Sequence, residues 1–171
     1  MPGTPLADAE RHVSRLLAAA RDAISAVPVC WVATAAGDGR GANVRAVRDC
    51  TGDDAGADPW TRWFLARPDS RKAAEIRRTG RAALAYQHGS GNAFVSLCGR
   101  AELVLDRAET EARLRQAVGD ADGSLAAKLV AVRVAADRVE VHVRGVTAEP
   151  WGQGRTLLER DAGGAWRLLP E

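Results

Sequence analysis

Aromatic residues are scarce in this chain: five Trp, two Phe and one Tyr make up 5% of its 171 residues. A groove that stacks single-stranded nucleic acid needs exposed aromatics interleaved with Lys and Arg. Here several of the few aromatics fall in core-like strands, so nucleic acid is not an expected partner. An excess of one charge is also lacking. Lys and Arg total 24 and Asp and Glu 22, for a formal net charge of +2, which gives no field to draw nucleic acid or a membrane surface. No apolar run approaches a membrane span. Asp8, Glu10 and Arg11 interrupt any signal-like core near the start. The three cysteines, Cys30, Cys50 and Cys98, are an odd number without CxxC spacing. In strand-like contexts they are expected to be reduced, buried thiols in the cytoplasm. His12, His88 and His142 are isolated and make no metal-ligand pattern. The glycine-rich stretches at 37–41 and 88–92 lack the spacings of a phosphate loop or a nucleophile elbow, so they read as turns. The aspartate-bearing loop from Thr51 to Pro59 does not match an EF-hand calcium loop.

The chain is long enough to bury a core and is expected to form a single domain over 1–171. Thr4-Pro5 reads as a cap and first turn. Leu6, Val13, Leu16, Leu17, Ala20 and Ile24 then recur at helical spacing, which predicts an N-terminal helix over 5–26. Val29 to Ala35 and Ala42 to Cys50 read as a hairpin. The second of these strands carries Arg45 and Arg48 among apolar residues. Arginine there is costly unless it is paired, exposed or holding an anion. Ala82 to Gln87 and Ala93 to Leu105 predict two more strands. In the longer one Val95, Leu97, Ala101, Leu103 and Leu105 share a face, and Gly99 suggests a bulge or bend. Asp106 and Glu109 resemble a capping box opening a helix that covers Ala108, Ala112, Leu114, Ala117 and Val118. Leu129 to Val134 and Val139 to Val143 read as strands on either side of Ala135 to Arg138. A C-terminal hairpin is expected over 155–169. Few of these elements follow βαβ order, so the pattern predicts an α+β fold with a mainly antiparallel sheet. A small six-stranded barrel with flanking helices suits it, with tryptophans as the larger bodies in a core of Ala, Val and Leu.

The rest is organised around Trp60 to Gly80. Trp60 to Ala66 reads as a strand, which Pro68 and Asp69 break. Asp69 or Ser70 then caps a helix that stops at Gly80. Arg77 and Arg78 suit the negative end of its dipole, whereas Arg71 and Lys72 sit in the first turn, where negative charge is favoured. Beside free backbone N–H groups, these two cations fit either an anion site, with phosphate as the anion, or a solvated basic helix start.

The order of motifs NVRAV, WFLARPDSRKAAEIRRTGRAALAY and AFVSLCGRAELVLDRAE resembles the FMN-binding split barrel of the pyridoxamine 5′-phosphate oxidase superfamily, in particular its general stress protein branch. The resemblance covers Val29 to Val143, with the SRK helix start and the G-x-A-E-L strand as its more specific parts. It implies a split β-barrel, a homodimer and two FMN sites at the subunit interface. Carried over by position, Arg45 and the backbone around Ala46 and Val47 would line the flavin. Leu65 and Ala66 would lie against it. Ser70, Arg71 and Lys72 would hold its 5′-phosphate. The family often has Thr where Ala66 stands, and the oxidase proper has Gln near Phe94, which here could only pack against the partner's flavin. Trp151 and Arg155 match the oxidase's C-terminal Trp and Arg by order alone. These departures argue against the oxidase's own reaction.

The implied function is FMN-dependent electron transfer with a nicotinamide or another small redox partner. No acid or base is assigned, and Tyr86 and His88 merely lie near the site. The same resemblance allows F420 or haem in place of FMN, or a flavin-binding protein without turnover.

Overall fold

A computed structural model describes residues 5–52, 58–119, 123–150, 153 and 156–170. Trp151 and Arg155 lie outside the described residues. The elements are α1 (Pro5–Ser25), β1 (Val29–Ala35), β2 (Ala42–Arg48), β3 (Thr61–Ala66), α2 (Arg71–Thr79), β4 (Arg81–Gln87), β5 (Ala93–Val104), α3 (Arg107–Val118), α4 (Gly123–Ala126), β6 (Val130–Val143), β7 (Leu157–Arg160) and β8 (Trp166–Leu168). They fall into two compact units. The larger comprises Pro28–Leu84 and Cys98–Ala136; the smaller comprises Met1–Val27, Ala85–Leu97 and Asp137–Glu171.

Hydrogen-bonded strand neighbours run β2-β1-β4-β5-β6, and β3 pairs with β6. The β1–β2 and β3–β6 pairs are antiparallel. Just beyond β2, the Cys50 N–H donates to the Trp63 carbonyl of β3 at 2.7 Å. The circuit β2-β1-β4-β5-β6-β3 therefore returns to its start as a mostly antiparallel six-stranded barrel, and the fold is the α+β split barrel. Its interior is Cys30, Val32, Val47, Phe64, Leu84, Ala101, Val132 and Val134, all buried. Trp60 is buried with them, but Trp31 is 51% exposed. On β1 the inward positions are Cys30, Val32 and Thr34, so strand alternation turns Trp31 outward.

Three expectations are corrected here. β6 is one strand of 14 residues, with no break at Ala135 to Arg138. Buried positions run Val132, Val134, Ala136 and then Val139, Val141. The alternation changes phase near Asp137, as an extra residue in a strand would make it do, and in sequence that reads as a break. Gly99 marks a close approach and no bulge in β5, whose burial alternation continues through it. A Cβ there would collide with the Ala135 carbonyl and lie 2.6 Å from Ala136 Cα. Beyond the end of β5, Leu105 is 82% exposed.

α3 forms where Asp106 and Glu109 predict it. Thr110, Arg113 and Leu114 are buried, and Val118 is exposed. Asp106 caps the helix by accepting from the Ala108 N–H at 2.9 Å. Glu109 accepts from Arg113 Nε at 2.5 Å, a side-chain pair one turn along the helix. Arg113 is buried at low cost because it also donates to the Thr51 carbonyl at 2.7 Å and lies 4.4 Å from the centre of the Trp63 ring.

In the smaller unit, β6 pairs with β7 and β7 with β8, both antiparallel. α1 buries Leu16, Ala20, Ala23 and Ile24. An apolar cleft of about 610 Å³ lies between α1 and β8, beside Val13, Leu17, Trp166 and Leu168. None of the described residues singled out above for cofactor binding lines it.

Candidate functional site

The site expected at the start of α2 is built as follows. The turn after β3 is closed by the Arg67–Asp69 ion pair at 2.9 Å, and by the Ser70 N–H donating to the Arg67 carbonyl at 3.1 Å. Ser70 is the cap: its Oγ accepts from the Ala73 N–H at 3.4 Å and donates to the Arg67 carbonyl at 2.7 Å. Its hydroxyl proton is thus bound inward. The amides of Arg71 and Lys72 precede the first intrahelical bond and face outward from the helix end. Gly80, at φ 64°, closes the helix. Arg77 donates to the Pro68 carbonyl, and Arg78 to the carbonyls of Ala35 and Ala36, which ties the last turn to the end of β1.

Among the described residues, Arg71 and Lys72 meet no carboxylate, although several arginines of this unit do. Arg62 forks onto Asp49 at 3.0 and 2.7 Å, Arg113 onto Glu109, Arg133 onto Glu102 and Arg45 onto Glu75. Burial and the nearby Arg45 guanidinium both push the Lys72 amine below the ordinary lysine pKa. Lys72 therefore lies within the field of Arg45, and of the two only Arg45 has a carboxylate partner, Glu75.

Arg45 is organised by a cluster that sequence reading missed. Its side chain points to the inner face of β2, opposite Val32 on β1. Nη1 donates to Thr34 Oγ1 at 2.6 Å and to the Asn43 carbonyl at 3.0 Å, and Nη2 donates to Glu75 Oε2 at 3.1 Å. Glu75 also accepts from Thr34 Oγ1 and from Asn43 Nδ2, each at 2.5 Å. Burial pushes its carboxyl pKa up, but the bonds from Thr34, Arg45 and Asn43 outweigh that, and it is held below the ordinary carboxylate range. The signal for this cluster was the cost of arginine in an apolar strand, which demands a partner.

The remaining expected residues are placed as follows. Ala46 is exposed on the outer face of β2 and Val47 is buried on the inner face. Leu65 is half-buried and Ala66 buried at the end of β3, five and four residues before Ser70. Phe94 is half-buried on β5 in the smaller unit. Tyr86 is buried, and His88 Nδ1 meets Ser90 Oγ at 2.7 Å in the turn after β4. No described group of His, Cys, Asp and Glu could hold a metal ion. Cys30, Cys50 and Cys98 form no disulfide, and burial, then Asp49, pushes the Cys50 thiol up to about 11. No described helix is long and apolar enough to cross a membrane.

A family model described as pyridoxamine 5′-phosphate oxidase matches residues 16–143. The chain belongs to the pyridoxamine 5′-phosphate oxidase family. That match contains β1 through β6, α2 and the whole Arg45–Glu75–Lys72 cluster. No curated protein matches. Solved structures agree with the fold. A Clostridium acetobutylicum protein related to general stress protein 26, of the pyridoxinephosphate oxidase family, is 16% identical with a TM-score of 0.59, covering 77% of this chain and 89% of that one. PhzG from Burkholderia lata 383, in complex with tetrahydrophenazine-1-carboxylic acid, is 19% identical with a TM-score of 0.58, covering 99% and 94%. A pyridoxamine 5′-phosphate oxidase-related, FMN-binding protein from Nostoc punctiforme PCC 73102 is 15% identical with a TM-score of 0.57, covering all of both chains. At such identities the likeness is one of fold.

Proposed function

We propose that this member of the family binds FMN and passes electrons between it and a reduced nicotinamide or another small redox partner. The observation that carries the reading is Lys72 in the first turn of α2, a cation that meets no carboxylate among the described residues and feels the charge of Arg45, whose own carboxylate partner Glu75 lies on the other edge of the guanidinium. A phosphate dianion would relieve that repulsion. It would also meet the helix's leading amides and its positive dipole end. Arg71 adds charge at the rim. Ala46, Val47, Leu65 and Ala66 would run along the ring, as the family pattern suggests, and Phe94 would pack against the partner's flavin. The FMN-binding Nostoc neighbour supports the same ligand class.

When bound, FMN supplies the electron chemistry; the protein supplies position and electrostatics. Glu75, the buried acid nearest the site, already accepts three hydrogen bonds, so this chain's own residues act here by binding and orientation. The proposed assembly is a homodimer. The outer face of β1–β2 carries Val29, Trp31 and Val44, each 46–59% exposed, and such a patch suits an interface. The absence of disulfides fits a cytoplasmic protein.

The absorption spectrum of the purified protein tests this reading, together with the mass of whatever it releases on heating. Two flavin bands and the mass of FMN are expected, or uptake of added FMN by protein isolated empty. A Soret band or the mass of a deazaflavin would replace FMN with haem or F420. Flavin that stays oxidised under anaerobic NADH and NADPH would leave binding in place and remove the proposed turnover with nicotinamide donors.

A further inference from the structure

A guanidinium carries five N–H donors in one plane. In Arg45 both protons of Nη1 and one of Nη2 are used, by Thr34, the Asn43 carbonyl and Glu75. The Nε–H and the second Nη2–H share the remaining edge. Among the described residues neither has a partner. The side chain is 21% exposed, whereas that of Glu75 is only 5% exposed. One edge of the fork is therefore locked into the protein, and the edge that binds carboxylates and phosphates in a bidentate manner is left open.

We infer that Glu75, with Thr34 and Asn43, is a positioning residue that fixes the plane of Arg45 so that its Nε–Nη2 edge meets the phosphate of the bound flavin. Three elements supply the clamp: Thr34 from β1, Asn43 from β2 and Glu75 from α2. Lys72 is three residues before Glu75 on the same helix and in the same turn, so one short helix both orients the arginine and provides the second cation. The carboxylate takes no part in contact with the ligand; it acts through Arg45. The inference rests on the phosphate site proposed above and adds the residue that shapes it.

The test is a fluorescence-quenching titration of ligand-stripped protein with FMN and with riboflavin, which lacks the phosphate. The quantity read is the ratio of the two affinities. In the wild type FMN should bind more tightly. Glu75→Gln keeps the shape and loses the charge that holds Arg45; the ratio should fall about tenfold, the scale of one weakened charge-assisted hydrogen bond, with riboflavin nearly unchanged. In an Arg45→Gln background, the same substitution should leave the ratio as it is, because the group it acts through is gone. Thr34→Val is the second variant, should Glu75→Gln not fold; it removes the hydroxyl that bridges the pair and should lower the ratio in the same direction. A wild type that binds both flavins equally would overturn the phosphate site and this inference with it. A wild type with the expected ratio, retained in Glu75→Gln or, where that variant does not fold, in Thr34→Val, would overturn only the positioning role. An additive effect in the double variant would do the same and mark Glu75 as a structural acid.

Discussion

Glu75 is 4% exposed, and a carboxylate so placed stays ionised only if strong donors hold it. Desolvation pushes its pKa up, and the bonds from Thr34, Arg45 and Asn43 bring it below the ordinary range. A folded-state pKa lowered in this way makes a contribution to stability that is present above the unfolded value and is lost as pH falls through the folded one. Thermal melts of the ligand-free protein should therefore show Glu75→Gln less stable than wild type at neutral pH by a constant margin. That margin should shrink once the pH drops below the ordinary glutamate pKa, about 4.3. A margin that is unchanged down to pH 2 would remove the carboxylate from the account of the cluster. At this scale the sequence made half of the cluster legible. Arg45 in an apolar strand announced that it needed a partner or an anion. It has both a partner and an open edge. Glu75 gave no such signal, because among Arg71, Lys72, Arg77 and Arg78 it reads as one more charge on a solvated helix. Only the packing of α2 against β1 puts it inside.

Helix α2 was the element most readable in advance. Its cap, its two termini and its anomalous first-turn cations all follow from local rules, and Ser70 and Gly80 hold the ends as those rules require. The strands were located by apolar runs between turn residues, and their order in the barrel was not. β6 was read as two pieces because periodicity detects a change of phase as an end. On α3 the burial of Arg113 had no sequence signal, because pattern reading places arginine outside, whereas Glu109, the Thr51 carbonyl and the Trp63 ring together hold it inside. Gly99 lies where β5 passes the phase change in β6. With the backbone of Ala135 and Ala136 already in the space of a Cβ, Gly99→Ala must push two strands apart. A cost of about 2–3 kcal/mol is expected, as for overpacking in other cores, read as a drop in Tm of roughly 5–10 °C. A neutral Gly99→Ala would mean that β5 and β6 do not approach closely there.

For the whole molecule, the exposed tryptophan is the informative departure. A core role was expected for it; β1 turns it outward, in register with Ala46 and next to the Ala33–Val44 pair. If this face is the subunit contact, Trp31→Asp should convert a particle of twice the chain mass into a monomer in light scattering and weaken flavin binding along with it. A Trp31→Asp protein that remains dimeric would move the interface elsewhere. The account as a whole turns on the anion site at the start of α2, and Lys72 tests it most directly. Losing one charge-assisted bond, worth roughly 1.5–3 kcal/mol, should weaken FMN binding by about ten- to a hundredfold in Lys72→Ala. Riboflavin affinity should change much less. The ligand-free protein should melt at nearly the same temperature as wild type, because burial and Arg45 already disfavour the charged amine. The deciding measurement is thus the equilibrium titration of wild type and Lys72→Ala with FMN: a ten- to hundredfold separation is predicted, and equal affinities would contradict the phosphate site.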